Sequence, residues 1–124
     1  MRAPRRLTAL LIILTTAAGC ASQRGYRNRP PAERFRVTVE NNGYVAHSLR
    51  ITLLPTGGGE YNLGLMTTVG SETLSLERRG LSGTFRLRAE TTTTRQARYS
   101  PPFRLRGGGA VYWDLQRNFV RRRR

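Results

Sequence analysis

The sequence predicts an all-β fold: a single seven-stranded antiparallel β-sandwich that follows an apolar N-terminal helix and a disordered tether. Two observations carry this prediction. From Phe35 onward, apolar and polar residues alternate with a period of two, as expected for half-buried strands. Gly-, Pro- and Asn-rich turns separate these segments at short intervals, and no stretch after residue 20 keeps a helical period over ten residues.

The first nineteen residues have the three regions of a secretory signal. Three arginines precede the apolar run Leu7 to Leu14, and small residues follow it up to Gly19. The apolar run is too short to cross a bilayer, because a spanning helix needs about 20 apolar residues. We therefore expect residues 1–19 to be a signal peptide that directs export.

Residues Ala17 to Cys20 resemble the lipobox of bacterial lipoproteins, in which a peptidase cuts immediately before a lipidated cysteine. The resemblance implies that Cys20 carries the lipid, and it explains a lone cysteine in an exported chain, where thiols normally pair. Ala21 after the cysteine implies the outer rather than the inner membrane, with the domain facing the periplasm or the exterior. The alternative is a conventional signal peptide cut nearby, which leaves Cys20 free or removes it.

Residues 20–34 are predicted to be the lipidated cysteine and a flexible tether, since they lack apolar periodicity and contain Pro30 and Pro31. Residues 35–117 form the predicted domain, and residues 118–124, which end in four arginines, form a disordered basic tail. When an odd number of strands run alternately up and down, the chain leaves the domain at the end opposite to its entry, so we expect the tail to lie far from the tether. An even number would reverse this expectation.

Seven strands are predicted around the alternating apolar residues, which would form one core between two sheets. The inward residues are Phe35, Val37 and Val39; Leu49, Ile51 and Leu53; Tyr61, Leu63 and Leu65; Leu74 and Leu76; Phe85, Leu87 and Ala89; Phe103 and Leu105; and Val111, Trp113 and Leu115. Without disulfides these contacts must carry the fold, each buried side chain contributing roughly 1.5–3 kcal/mol. Trp113 is the largest, so its removal should be the most damaging single substitution.

The strand patterns between Phe35 and Leu115, among them Val39-Glu40-Asn41-Asn42, Leu49-Arg50-Ile51-Thr52-Leu53, Leu63-Gly64-Leu65 and Val111-Tyr112-Trp113, resemble those of small uncharacterised bacterial lipoproteins. Those proteins have an immunoglobulin-like or transthyretin-like sandwich. The resemblance implies a fold and a place in the cell envelope. It transfers no functional residue, because the shared features are strand patterns and not chemistry.

The net charge of +15 predicts a surface that attracts polyanions. An exported protein meets lipid headgroups, lipopolysaccharide and cell-wall polymers rather than nucleic acid. The candidate polyanion-binding residues lie on polar strand faces and at the C-terminus: Arg36, Arg50, Arg86, Arg88, Arg104, Arg106, Arg121, Arg122, Arg123 and Arg124. The alternative is that these arginines only solvate the sheets and block edge-to-edge aggregation.

No motif indicates catalysis, a cofactor or a bound metal. The only histidine, His47, and the only aspartate, Asp114, are not accompanied by a Gly-x-Ser-x-Gly elbow, and one histidine with one cysteine is a poor ligand set. The glycine triplets Gly57 to Gly59 and Gly107 to Gly109 open onto strands, so they are predicted to be turns rather than phosphate-binding loops.

We therefore expect a non-catalytic binding module, attached to the membrane by its lipid, for an anionic envelope component or a partner protein. A structural or assembly accessory is the alternative, and a small hydrolase is a distant third.

Overall fold

Nine strands in two sheets make up the part of the chain that the structure, a computed structural model, describes: residues 31–42, 48–67 and 69–124. The strands are β1 (Glu33–Asn41), β2 (Leu49–Pro55), β3 (Tyr61–Met66), β4 (Gly70–Arg78), β5 (Gly83–Thr91), β6 (Ala97–Tyr99), β7 (Phe103–Leu105), β8 (Gly109–Asp114) and β9 (Phe119–Arg123). The predictions for the signal, Cys20, most of the tether and His47 lie outside the described residues. Within the described ranges, no helix has the length and hydropathy to span a membrane.

The seven predicted strands correspond to β1 to β5, β7 and β8, and the structure adds β6 and β9. The first sheet has the order β4-β1-β8-β9, and the second has β3-β2-β5, with β6 and β7 both pairing with β5. The prediction that both sheets are wholly antiparallel is wrong, because β1 and β8 run parallel. Parallel neighbours need a long crossover, and here the crossover comprises the whole second sheet and β4.

The core lies between the sheets and contains most of the predicted inward residues. Phe35, Ile51, Leu87 and Trp113 are among its fully buried side chains, while Tyr61, Leu74 and Leu76 pack against it half-buried. The rings of Phe35 and Phe85 each stack on that of Phe103, with centroids 6.1 and 6.5 Å apart. The period-two pattern therefore identified the core correctly in every predicted strand except part of β3.

In β3 the predicted inward position of Leu65 is wrong. Ile51 pairs with Gly64, but the next residue of β2 pairs with Asn62, so β3 has one extra residue at this point. Gly64 adopts a φ of 135°, which favours glycine. The bulge reverses the faces that follow it: Leu65 is 49% exposed and Met66 is buried in its place.

The predicted disordered tail is also wrong, because Phe119 to Arg123 form β9 and pair antiparallel with β8. Val120 pairs with Trp113 and packs against the core. The guanidinium of Arg122 donates to the carbonyl oxygen of Arg104 in β7, which links the edges of the two sheets. Four consecutive arginines suggested a chain too polar to fold, but a strand at a sheet edge needs only one half-buried face.

The chain begins and ends at the same end of this domain. Phe35 of β1 pairs with Gly109 at the start of the parallel β8, and β9 runs back so that Arg123 pairs with Ala110. We call this end, where β1 begins and β9 finishes, the proximal end. The C-terminal arginines were expected at the opposite end, and that expectation is wrong because β1 and β8 do not alternate in direction.

Candidate functional site

The glycine triplet Gly107 to Gly109 connects β7 in one sheet to β8 in the other, so it is a turn between sheets as predicted. All three glycines have positive φ. Gly108 also touches the backbone of β1: a Cβ atom there would lie 2.3 Å from the carbonyl oxygen of Arg34. The turn therefore holds the start of β8 closely against the start of β1.

Two adjoining grooves open at this turn. The first encloses about 540 Å³, the second about 360 Å³, and both are lined by Gly109, Ala110, Arg123 and Arg124. Arg106 and Arg122 line the first and Arg34 and Arg36 the second. We call the two together the arginine groove, whose arginines are Arg34, Arg36, Arg106, Arg122, Arg123 and Arg124.

Few carboxylates neutralise the arginine groove. Arg34 forms an ion pair with Glu77 across β1 and β4, and the carboxylate of Glu33 accepts the backbone N–H of Leu81 at 2.6 Å. Among the described residues, none of the other five groove arginines is in an ion pair with a carboxylate. Guanidinium groups that are not in an ion pair with a carboxylate of the protein are suited to bidentate binding of a phosphate or carboxylate ligand.

The predicted basic stripe on the second sheet forms in part. β2 pairs with β5, and Arg50, Arg86 and Arg88 lie on the same outer face. Arg88 is engaged, however: it binds Glu60 through two hydrogen bonds of 2.7 and 3.2 Å, and its Nε lies 3.7 Å from Glu90. Glu90 also pairs directly with Arg50 in the ladder. This face is therefore a mixed-charge surface.

The pair of Glu60 and Arg88 shifts the titration of both groups. The hydrogen bond from Arg88, reinforced by its charge, holds the pKa of the Glu60 carboxyl below its ordinary value. The hydrogen bond to Glu60 likewise raises the pKa of Arg88, against the opposing effect of its partial burial. The ion pair therefore favours the charged form of both groups.

Arginine and aromatic side chains meet on the outer face of the first sheet. The guanidinium carbons of Arg121 and Arg123 lie 4.7 and 5.7 Å from the centre of the Tyr112 ring. Two other aromatic residues of the domain differ in exposure: Tyr99 is 48% exposed, whereas Phe103 is buried between two phenylalanine rings. Tyr99 also lies beside a candidate arginine, since it pairs with Arg88 in the β5–β6 ladder.

The acidic side chains of the described residues make contacts within the fold, and His47 lies outside those residues. Asp114 is buried, and its Oδ1 accepts the backbone N–H groups of Gln116 and Arg117, each at 3.0 Å, so it stabilises the turn before β9. Glu60 and Glu77 are paired with arginines, and Glu40 accepts from the amide of Asn42. In the described ranges, no three or more His, Cys, Asp or Glu side chains come together as a metal site would require.

The ten predicted arginines therefore separate into different surroundings. Arg36, Arg106, Arg122, Arg123 and Arg124 meet in the groove, Arg121 lies on Tyr112, Arg104 contributes its carbonyl oxygen to Arg122, and Arg50, Arg86 and Arg88 lie on the second sheet. Sequence reasoning missed Arg34, which was assigned to the tether. The alternation of Arg34 and Arg36 with Phe35 could have shown that β1 begins before Phe35 and that Arg34 belongs to its polar face.

Comparison with known proteins adds nothing to this geometry, since neither a family model nor a curated protein nor a solved structure matches the chain.

Proposed function

We propose that this protein is a non-catalytic binding module of the bacterial cell envelope, anchored by a lipid on Cys20, whose arginine groove binds an anionic envelope component. The observation that carries the proposal is the convergence of six arginines from β1, from β9 and the residue after it, and from the turn before β8. Within the described part of the chain, one of the six is in an ion pair with a carboxylate. An anion that enters the groove meets several guanidinium groups already positioned by strands. Such preorganisation favours binding over a merely solvated surface.

The order of the strands supports the transthyretin-like rather than the immunoglobulin-like type of sandwich. In the immunoglobulin arrangement, the first strand shares a sheet with the second. Here β1 pairs with β4 and β8, while β2 lies in the other sheet between β3 and β5. We therefore favour the second of the two types that the strand patterns resemble.

Two experiments test the proposal. Fatty-acid labelling in a bacterium should mark the parent protein and not the Cys20→Ser variant, and the variant should move to the soluble fraction. Labelling of both would contradict the assignment of Cys20.

For the groove, the chain from residue 20 onward with Cys20→Ser should be retained on immobilised lipopolysaccharide or anionic cell-wall polymer. Replacement of Arg36, Arg123 and Arg124 by glutamine should weaken this retention. Failure of both proteins to bind either polymer would contradict the proposed function.

The second candidate is a structural or assembly accessory of the envelope that binds no small ligand. The mixed-charge face of the second sheet favours it, because Arg88 is engaged by Glu60 and Glu90 and acts within the fold. Arginines along the β9 edge would likewise discourage strand pairing between copies. This alternative predicts that glutamine replacements in the groove leave polymer retention unchanged.

A further inference from the structure

Charge is distributed unevenly along the length of the domain. The arginine groove lies at the proximal end. Arg78 and Arg79, at the end of β4, add two more arginines to this end, and Glu33 and Glu77 are the carboxylates near them. At the opposite end the charges balance, because four arginines lie there with four carboxylates: Arg50, Arg95, Arg98 and Arg117 with Glu40, Glu72, Glu90 and Asp114. The positive charge of the domain is therefore concentrated at the proximal end.

The proximal end is also the part of the domain nearest to Cys20 along the chain. Residues 31–124 form one compact unit, and β1 begins at Glu33. Ten residues separate Cys20 from Pro31, and a chain of that length spans at most about 35 Å when fully extended. A lipid on Cys20 would therefore leave the arginine groove within reach of the membrane.

Electrostatic attraction to an anionic membrane acts only over a distance much shorter than the extended tether. The Debye length at physiological ionic strength is about 8 Å, so a charge contributes only when it lies near the surface. Each arginine near such a surface strengthens binding by about fivefold. The tether supplies a high local concentration of the membrane, which makes even a weak docking surface effective.

We propose that the proximal end docks on the phosphate-bearing surface of the same membrane that holds the lipid anchor, with the arginine groove binding lipid phosphates. This inference rests on the proposed function and names the ligand. Guanidinium groups bind phosphate in bidentate geometry, and Arg34, Arg36 and Arg123 lie on the same outer face of the first sheet. The opposite end, where the charges balance, is left facing away from the membrane.

The test uses the chain from residue 20 onward with Cys20→Ser, so that binding does not depend on the lipid. Co-sedimentation measures its affinity for vesicles of phosphatidylglycerol mixed with phosphatidylcholine, and for vesicles of phosphatidylcholine alone. We expect binding to the anionic vesicles only, and we expect it to disappear at about 1 M salt, where the Debye length falls to about 3 Å.

Two triple variants with the same change in net charge locate the surface. The groove variant carries Arg36→Gln, Arg123→Gln and Arg124→Gln, and the control carries Arg50→Gln, Arg95→Gln and Arg117→Gln, away from the groove. The groove variant should lose about a hundredfold in affinity and the control no more than about threefold. Circular dichroism establishes that both variants are folded.

Each outcome decides between the possibilities. Equal losses in both variants would show a general charge effect and overturn the docking surface. Retention on lipopolysaccharide or cell-wall polymer without binding to anionic vesicles would overturn the membrane inference and leave the proposed function standing. Absence of binding to vesicles and polymers alike would overturn both.

Discussion

Arg36, in the first strand, and Arg123, in the last, both pair with Ala110 and lie on the same outer face of the first sheet. Two strand spacings separate their backbones, which corresponds to about 10 Å. Side chains from the first and last strands of the domain therefore line one groove. The parallel pairing of β1 with β8, followed by the β8–β9 hairpin, produces this arrangement.

β9 should contribute to the stability of the domain, in contrast to a disordered tail. A chain that ends at Asn118 loses the β8–β9 ladder, the packing of Val120 and the bond from Arg122 to Arg104. We expect its free energy of unfolding in urea to fall by roughly 2–4 kcal/mol, since each hydrogen bond contributes about 1 kcal/mol net. In the matched control, Arg121, Arg123 and Arg124 are replaced by glutamine while Arg122 and the strand are retained, and stability should change little. Equal stability of the truncated and parent chains would contradict the assignment of β9.

Trp113 should be the most sensitive single position in the core. Its side chain is fully buried, and its Nε1 donates to the Oδ1 of Asn118 at 3.1 Å. Trp113→Ala removes both the ring and this bond, and we expect a loss of about 3–5 kcal/mol in chemical denaturation. Trp113→Phe keeps an aromatic ring in the core, so it should retain more stability than alanine. An unchanged melting temperature in Trp113→Ala would mean that the Trp113 face of β8 does not point into the core.

The core could be predicted because alternation reports directly which side chains a strand buries. Leu65 shows the limit of that rule, since one extra residue at the Gly64 bulge reverses the face and buries Met66 instead. A glycine within an apolar strand was the local signal for a bulge. The alternation of apolar and polar residues alone does not reveal such a bulge.

The candidate site could be predicted only as a set of residue types. That Arg36, Arg106 and Arg123 meet depends on which strands are neighbours and in which direction they run. Pairing between residues more than seventy positions apart leaves no periodic trace in a single sequence, so the position of the C-terminal arginines was predicted at the wrong end. The engagement of Arg88 by Glu60 depends similarly on the β2–β3 turn bringing Glu60 beside β5.

Gly108 should tolerate no side chain, because two constraints act there at once. Its φ is 91°, and a Cβ atom would lie 2.3 Å from the Arg34 carbonyl oxygen. Gly58, in the β2–β3 turn, has a φ of 101°, but an added Cβ atom there would have nothing within 4 Å. A substitution at Gly58 therefore measures the cost of the backbone conformation alone. We expect Gly58→Ala to cost about 1 kcal/mol and Gly108→Ala at least about twice that, measured by thermal unfolding. Equal losses would show that the contact with β1 is unimportant.

The ion pair between Glu60 and Arg88 should make stability depend on pH in the acid range. The pKa of Glu60 is lowered in the folded protein by the hydrogen bond and charge of Arg88, relative to about 4.3 in the unfolded chain. The unfolded state therefore takes up a proton first as the pH falls. The contribution of this pair is fully present above about pH 4.3 and is lost as the pH falls through the lowered native pKa.

Melting temperatures measured between neutral pH and about pH 2 test this expectation. The parent protein should be more stable than Glu60→Gln at neutral pH, and the difference should disappear at the acid end. The gain is modest, because Glu60 is exposed and the pair is partly screened by solvent. Arg88→Gln, which breaks the same pair from the other side, should flatten the acid part of the profile in the same way. A constant difference between the parent and Glu60→Gln across the whole range would show that the glutamine acts through packing and not through the ion pair.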